Sequence, residues 1–157
     1  MTIRPYRPAD TDAVVALSLR AWAPVFASME ASLDPAVYRT FYRDGWRTSQ
    51  EAAVRAALAE QDAYVAEVDG APVGFVTVVL HADDALGEIH MVAVDPSRQR
   101  AGVGRALTER AVEHMREAGM AVAMVETGGD PGHGAARRTY EASGFGLWPV
   151  ARYFKPL

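Results

Sequence analysis

The stretch GEIHMVAVDPSRQRAGVGRAL, residues 87–107, decides how the chain is read. Its first eight residues are rich in apolar side chains and read as a buried strand that ends near Val94. Pro96 begins a turn, and a helix starts near Gly104, carrying Leu107, Ala111, Met115 and Ala118 on one face until Gly119 ends it. Strand, glycine turn and helix in that order expose the first backbone N–H groups of the helix, which have no partner inside it. The helix dipole adds partial positive charge there, and Gly102 and Gly104 let the backbone come close to a ligand. Arg98, Arg100 and Arg105 add charge. These features describe a seat for phosphate, above all a pyrophosphate; a tight turn with close packing is the plainer alternative. The Walker pattern is excluded because Arg105 and Ala106 follow the second glycine. The dinucleotide fingerprint is excluded because Leu107 stands at its third glycine.

Working outward, residues 3–6 read as a strand, with Asp10 or Thr11 capping a helix that has Val14, Leu17 and Ala21 on its apolar face and ends at Pro24. A helix follows Pro35 and carries Tyr38, Phe41, Tyr42 and Trp46. Thr48–Glu51 (TSQE) is a capping-box pattern for a helix to about Ala59. Residues 63–68 and 72–80 form a hairpin through Asp69-Gly70. Residues 121–126 are a further strand, 133–143 a last helix, and FGLWPVARYF (145–154) two short strands around Pro149. Strands that first pair by a hairpin and later alternate with helices predict an α/β architecture, a mixed sheet with helices on its faces.

The 157 residues suit one domain spanning residues 1–157. A net charge of −4 offers no general attraction to nucleic acid or an anionic membrane. The N-terminus has no signal-peptide pattern, and no apolar run is expected to span a membrane. Cysteine is absent, which removes thiol nucleophiles and disulfides and fits a cytoplasmic location.

Gln99-Arg100-Ala101-Gly102-Val103-Gly104 matches the Q/R-x-x-G-x-G/A pattern of the GNAT N-acetyltransferase superfamily. EIHMVAVDP resembles that family's central strand, RRTYEASGFG its closing helix and signature, and IRPYRPAD its first strand. The likeness runs in order along nearly the whole chain and is weakest over residues 27–60. It implies a GNAT-like twisted mixed sheet flanked by helices, with acetyl-CoA as donor. On that basis Gln99, Arg100, Ala101, Gly102, Val103, Gly104 and Arg105 would hold the pyrophosphate, and Val92 and Val94 would bond the pantetheine arm through their main chain. His133 stands where the family often has an Asn that bonds the cofactor arm; an imidazole can donate one such bond. The glycines over 128–134 predict a flexible approach to the last helix.

Acetyl transfer from a thioester to an amine needs a neutral amine, a donor for the oxyanion and a proton for the leaving thiolate. A lysine amine has a reference pKa of about 10.4 and an α-amine about 8, so a base is required. Without cysteine, direct attack in a ternary complex is the simpler course. Glu88 is the first candidate for the base, expected to share a strand face with His90, Val92 and Val94; His90 and Glu126 are alternatives. Tyr140 matches the family tyrosine and is expected to protonate the thiolate. His81, Asp83 and Asp84 raise a metal reading that lacks a ligand motif, so no metal is expected. The resemblance implies a small-molecule amine or a peptide amine as acceptor, on the side formed by the first helices. Of their aromatics (Trp22, Phe26, Tyr38, Phe41, Tyr42, Trp46) most are expected in the core and a few at an acceptor pocket or dimer contact, with Glu30, Asp34 and Asp44 nearby. A homodimer is compatible with this. The rival reading is a non-catalytic acyl-CoA sensor or interaction module on the same fold.

Overall fold

The structure, a computed structural model, describes all 157 residues. Five strands form one sheet in the order β1 (Thr2–Pro5), β2 (Asp62–Val68), β3 (Ala71–His81), β4 (Leu86–Val94), β5 (Val122–Val125). The first four pair antiparallel and β5 joins β4 in parallel, so the sheet is mixed, as the order of hairpin and crossover requires. The β2–β3 hairpin turns on Asp69 and Gly70, both at positive φ, the conformation that a two-residue turn of this hand demands.

Helix α1 (Thr11–Ser32) and α3 (Trp46–Glu60) cover one sheet face, where Val14, Leu17, Val54, Leu58, Val65, Phe75 and Ala93 are buried. Helix α4 (Val103–Glu117) covers the other, burying Leu107, Ala111 and Met115 against Val76, Val78 and Ile89. The predicted stripe is therefore present, except that α4 ends before Ala118, which is exposed. Short α2 (Pro35–Phe41) bridges the first helices, and α5 (Gly134–Ala142) follows β5.

Four expectations are corrected. Pro24 does not end α1: the helix runs eight residues further, to Ser32. A helical proline costs roughly 3 kcal/mol; edge-on packing of Trp22 on Phe75 and stacking of Phe26 on Trp46 offset it. The Asp10 carboxylate goes to Arg4 (2.7 and 2.8 Å) rather than to the start of α1. The TSQE box is unused, because α3 opens at Trp46 behind Gly45, whose φ of +85° turns the chain; Trp46 accordingly leaves α2. Residues 145–154 form no strands. The tail leaves Leu147, Trp148, Val150 and Tyr153 exposed and β5 as an edge. In addition, Pro8–Ser32 is long and apolar enough to cross a membrane by length and composition, which the sequence reading did not expect. In this fold it is a core helix, with Val14 and Leu17 fully buried.

Candidate active-site groove

A single extra residue opens the sheet. Strands β3 and β4 keep step from Gly74 opposite Val94 to Thr77 opposite Met91, but Val78 then faces Ile89, leaving His90 without a counterpart. This β-bulge breaks the two-residue alternation of β4. Met91 and Ala93 face α1, whereas Ile89 packs on the α4 side together with Val92 and Val94. The Thr77 hydroxyl accepts the Met91 N–H (3.1 Å), repairing the ladder where the bulge disrupts it. Glu88, opposite Val79, consequently lies on the α1 face and does not share a face with Val92 and Val94, contrary to expectation.

Beyond the bulge the last two strands part. Strand β5 pairs with β4 only from Leu86–Val122 to Ile89–Val125 and then ends. The Asp95 N–H donates to the Val73 carbonyl on β3 (2.8 Å). Because main-chain groups alternate sides along a strand, those of Val92 and Val94 point the other way, into the gap that β5 leaves. The Val94 carbonyl accepts a bond from the Gln99 side chain (3.2 Å). The gap is a groove of about 1040 Å³ that threads between the strands, with α1, the turn after β4, the start of α4 and α5 around it.

Asp95 builds the turn. Its Oδ1 accepts Ser97 N–H (3.0 Å) and Ser97 hydroxyl (2.7 Å), and its Oδ2 accepts Arg20 Nη2 (2.5 Å). Bonds from Ser97, then Arg20, hold this carboxyl down at about 2. Arg100 (φ +65°) and Gly102 (φ +81°) then swing the backbone into α4. Gly102 has no side chain to cap the helix, and the first bond inside it is Ala106 N–H to Gly102 carbonyl (3.0 Å). The amides of Val103, Gly104 and Arg105 are thus free of helical partners. A Cβ on Gly104 would stay 3.7 Å from Val94, so internal packing does not demand this glycine; it keeps the groove wall open. Gln99, Arg100, Gly102, Gly104 and Arg105 line the groove, while the Val103 side chain belongs to the core and Ala101 stays off the wall.

Helix α5 supplies Tyr140, 7% exposed, whose phenol burial pushes up to about 12. His133, Arg138 and Thr139 line the same wall. The approach to α5 is tied down rather than loose. Asp130 accepts Ser28 hydroxyl (2.6 Å) and Gly132 N–H (3.0 Å) and pairs with His133 Nδ1; Arg137 Nη1 clamps the Gly128 and Asp130 carbonyls (2.5 and 2.9 Å). Two of its glycines are steric requirements: a Cβ on Gly132 would sit 2.6 Å from that of Ser28, and one on Gly128 would collide with the His133 ring.

The base candidates are dispersed. Glu88 bonds His81 Nε2 (2.8 Å) and does not border the groove. His90 does, with Nδ1 on Gln61 (2.9 Å), as does Glu126, which pairs with Arg152 (3.1 Å). No three metal-ligating side chains converge, and His81 is turned to Glu88. Of the early aromatics only Trp22 lines the groove; Phe26 and Tyr38 are core, and Phe41 packs edge-on against Phe154 of the tail. Glu30, Asp34 and Asp44 do not border it, and Asp34 caps α2. Sequence reasoning missed Ser28, Gln61 and Asp130. Only Asp130 left a local signal, the Asp-Pro-Gly of a turn whose carboxylate bonds the N–H two residues on.

Residues 31–145 match the model of the acetyltransferase (GNAT) family. The chain belongs to that family. Among curated relatives, the mycothiol acetyltransferase of Sanguibacter keddieii is 36% identical over 153 residues, which is 92% of this chain and 43% of that protein. That of Nocardiopsis dassonvillei is 37% identical over 95 residues, 56% of this chain and 28% of that protein. This GNAT chain therefore spans less than half the length of either relative. Its fold matches solved GNAT structures: the ribosomal-protein-S18-alanine N-acetyltransferase of Escherichia coli (TM-score 0.71, 22% identity, 99% of this chain and 84% of that one) and an aminoglycoside 6'-N-acetyltransferase of Acinetobacter haemolyticus (TM-score 0.69, 15% identity, 100% and 99%).

Proposed function

We propose that this GNAT chain is one acetyltransferase unit, residues 1–157, that moves an acetyl group from acetyl-CoA to a primary amine by direct attack in a ternary complex. One observation carries the reading: the uncapped amides of Val103–Arg105, the main-chain groups of Val92 and Val94, and Tyr140 all open on one groove. The amides and Arg100 suit the diphosphate of coenzyme A, with favourable helix-end electrostatics of roughly 0.3–1 kcal/mol and up to about 2 kcal/mol when partly buried. The strand gap suits the extended pantetheine arm, which would pair with Val92 and Val94 as an added strand. A solved structural neighbour, an aminoglycoside N-acetyltransferase, holds a coenzyme A bisubstrate analogue, which supports the same donor class.

Tyr140, protonated throughout the working pH range, protonates the departing thiolate. Glu88 stands behind the gap with its carboxylate on His81, so proton removal falls to a group on the groove wall. The names of the relatives and neighbours refer to mycothiol, a ribosomal-protein alanine and aminoglycosides; the proposed acceptor class is accordingly a small-molecule or peptide amine. The lack of cysteine is consistent with a cytoplasmic enzyme.

The test is a panel of amines with release of coenzyme A thiol as readout, alongside calorimetry with acetyl-CoA. Turnover of at least one amine is expected. Acetyl-CoA binding without turnover would favour the sensor reading, and no binding at millimolar donor would remove both.

A further inference from the structure

Resting on the acetyltransferase reading above, we propose that His133 is the general base of the transfer and that Asp130 is its positioning residue. His133 lies on the groove wall, 21% exposed, with its Nδ1 bonded to Asp130 Oδ1. Burial would raise the Asp130 carboxyl, but bonds from Ser28 and His133 outweigh it and hold the group below its usual range. An ionised carboxylate has no proton to give, so the shared proton sits on Nδ1 and the lone pair of the neutral ring sits on Nε2. The loop is shaped around the pair: Ser28 and the Gly132 amide fix Oδ2, Arg137 fixes the loop carbonyls, and Gly128 and Gly132 have no room for side chains. An Asn at position 133 could hold a cofactor amide, but it could not accept a proton.

His133 and Tyr140 are seven residues apart at the start and in the body of α5, about 10 Å along a helix axis. That separation allows a base on the amine side of a thioester carbon and an acid on the sulfur side. The other wall groups are less suited: His90 is exposed, and Glu126 is 69% exposed and paired with Arg152. Charged groups around the groove are Glu126 from β5, Arg100 and Arg105 from the turn and α4, and Arg138 from α5, with Arg137 behind the loop. Nε2 takes a proton from R–NH₃⁺ and passes it to solvent. The amine lone pair forms the C–N bond while the carbonyl π electrons move to oxygen. Their return breaks the C–S bond. The thiolate takes the Tyr140 proton and Nε2 takes the remaining proton from nitrogen, leaving amide and thiol; solvent then reprotonates the tyrosinate and removes the proton on Nε2.

The experiment uses the full chain and an amine that the wild type accepts. His133→Asn should keep acetyl-CoA affinity by calorimetry within about threefold, lower kcat about 100-fold, and abolish the rise of kcat with pH. Asp130→Asn should lower kcat less, about tenfold, with circular dichroism checking the loop variant's fold. In ¹⁵N-histidine-labelled wild type, the neutral His133 ring should show its proton on Nδ1 and a bare Nε2. A His133→Asn variant with undiminished kcat and pH profile, or one whose affinity falls in step with kcat, overturns the base assignment while leaving the acetyltransferase reading intact. So does a proton found on Nε2. Failure of the wild type to turn over any amine removes both readings.

Discussion

Replacing Asp95 by Asn tests whether the turn between β4 and α4 is held by a charge. The carboxyl is held at about 2 in the fold against an ordinary value of 3.8. At about 1.36 kcal/mol per tenfold, that gap is worth at most about 2.4 kcal/mol. Arg20 is 57% exposed, and solvent screening reduces its part, so about 1–1.5 kcal/mol is expected. The sign follows from the direction of the shift: a depressed carboxyl stabilises the fold above its unfolded value and loses that contribution as pH falls from 3.8 through about 2. Asp95→Asn should thus be less stable than wild type by about 1–1.5 kcal/mol at neutral pH in urea denaturation, and the difference should shrink to roughly half by pH 3. Asp95 does not line the groove, yet loosening the turn should weaken acetyl-CoA binding several-fold. Equal stability at neutral pH, or a difference that does not change down to pH 3, would refute the reasoning.

Tyr140→Phe should lower kcat about 100-fold with little change in acetyl-CoA affinity. With its phenol at about 12, Tyr140 should cause no fall in wild-type rate below about pH 11, which a pH–rate series checks. Gly102→Ala, at φ +81°, should cost about 1 kcal/mol in thermal unfolding and weaken donor binding. Gly104→Ala should leave stability unchanged or slightly improved but weaken donor binding by calorimetry, because the added methyl faces the groove. Glu88→Gln should preserve most of the rise of kcat with pH; a flattened profile would restore Glu88 as the base.

What the sequence made legible was local. The Asp69-Gly70 turn, the α4 stripe of Leu107, Ala111 and Met115, and the strand–turn–helix order around Asp95 each depend on a few neighbouring residues. What it hid was tertiary. Pro24 reads as a stop, and only the stacking of Phe26 on Trp46 and the packing of Trp22 on Phe75 explain why the helix continues. Residues 128–134 look loose because glycines suggest freedom; Ser28, about a hundred residues earlier, makes Gly132 obligatory. The face of Glu88 is not legible from strict alternation, because β4 carries one residue more than β3 at the bulge.

That surplus residue is absorbed where it sits. Deleting residue 90 would set Ile89 directly beside Met91, opposite Val78 and Thr77, so both would keep their present faces and the ladder with β3 would become regular. Glu88 would stay on the α1 side, and Gly87, where the Met115 side chain leaves no space for a Cβ, would stay beneath α4. Such a shortened strand would fold but lose the local kink at which β4 begins to diverge from β5. An added residue elsewhere in β4, with no second bulge to absorb it, would instead turn over the half upstream of it and drive Glu88 into the hydrocarbon under α4.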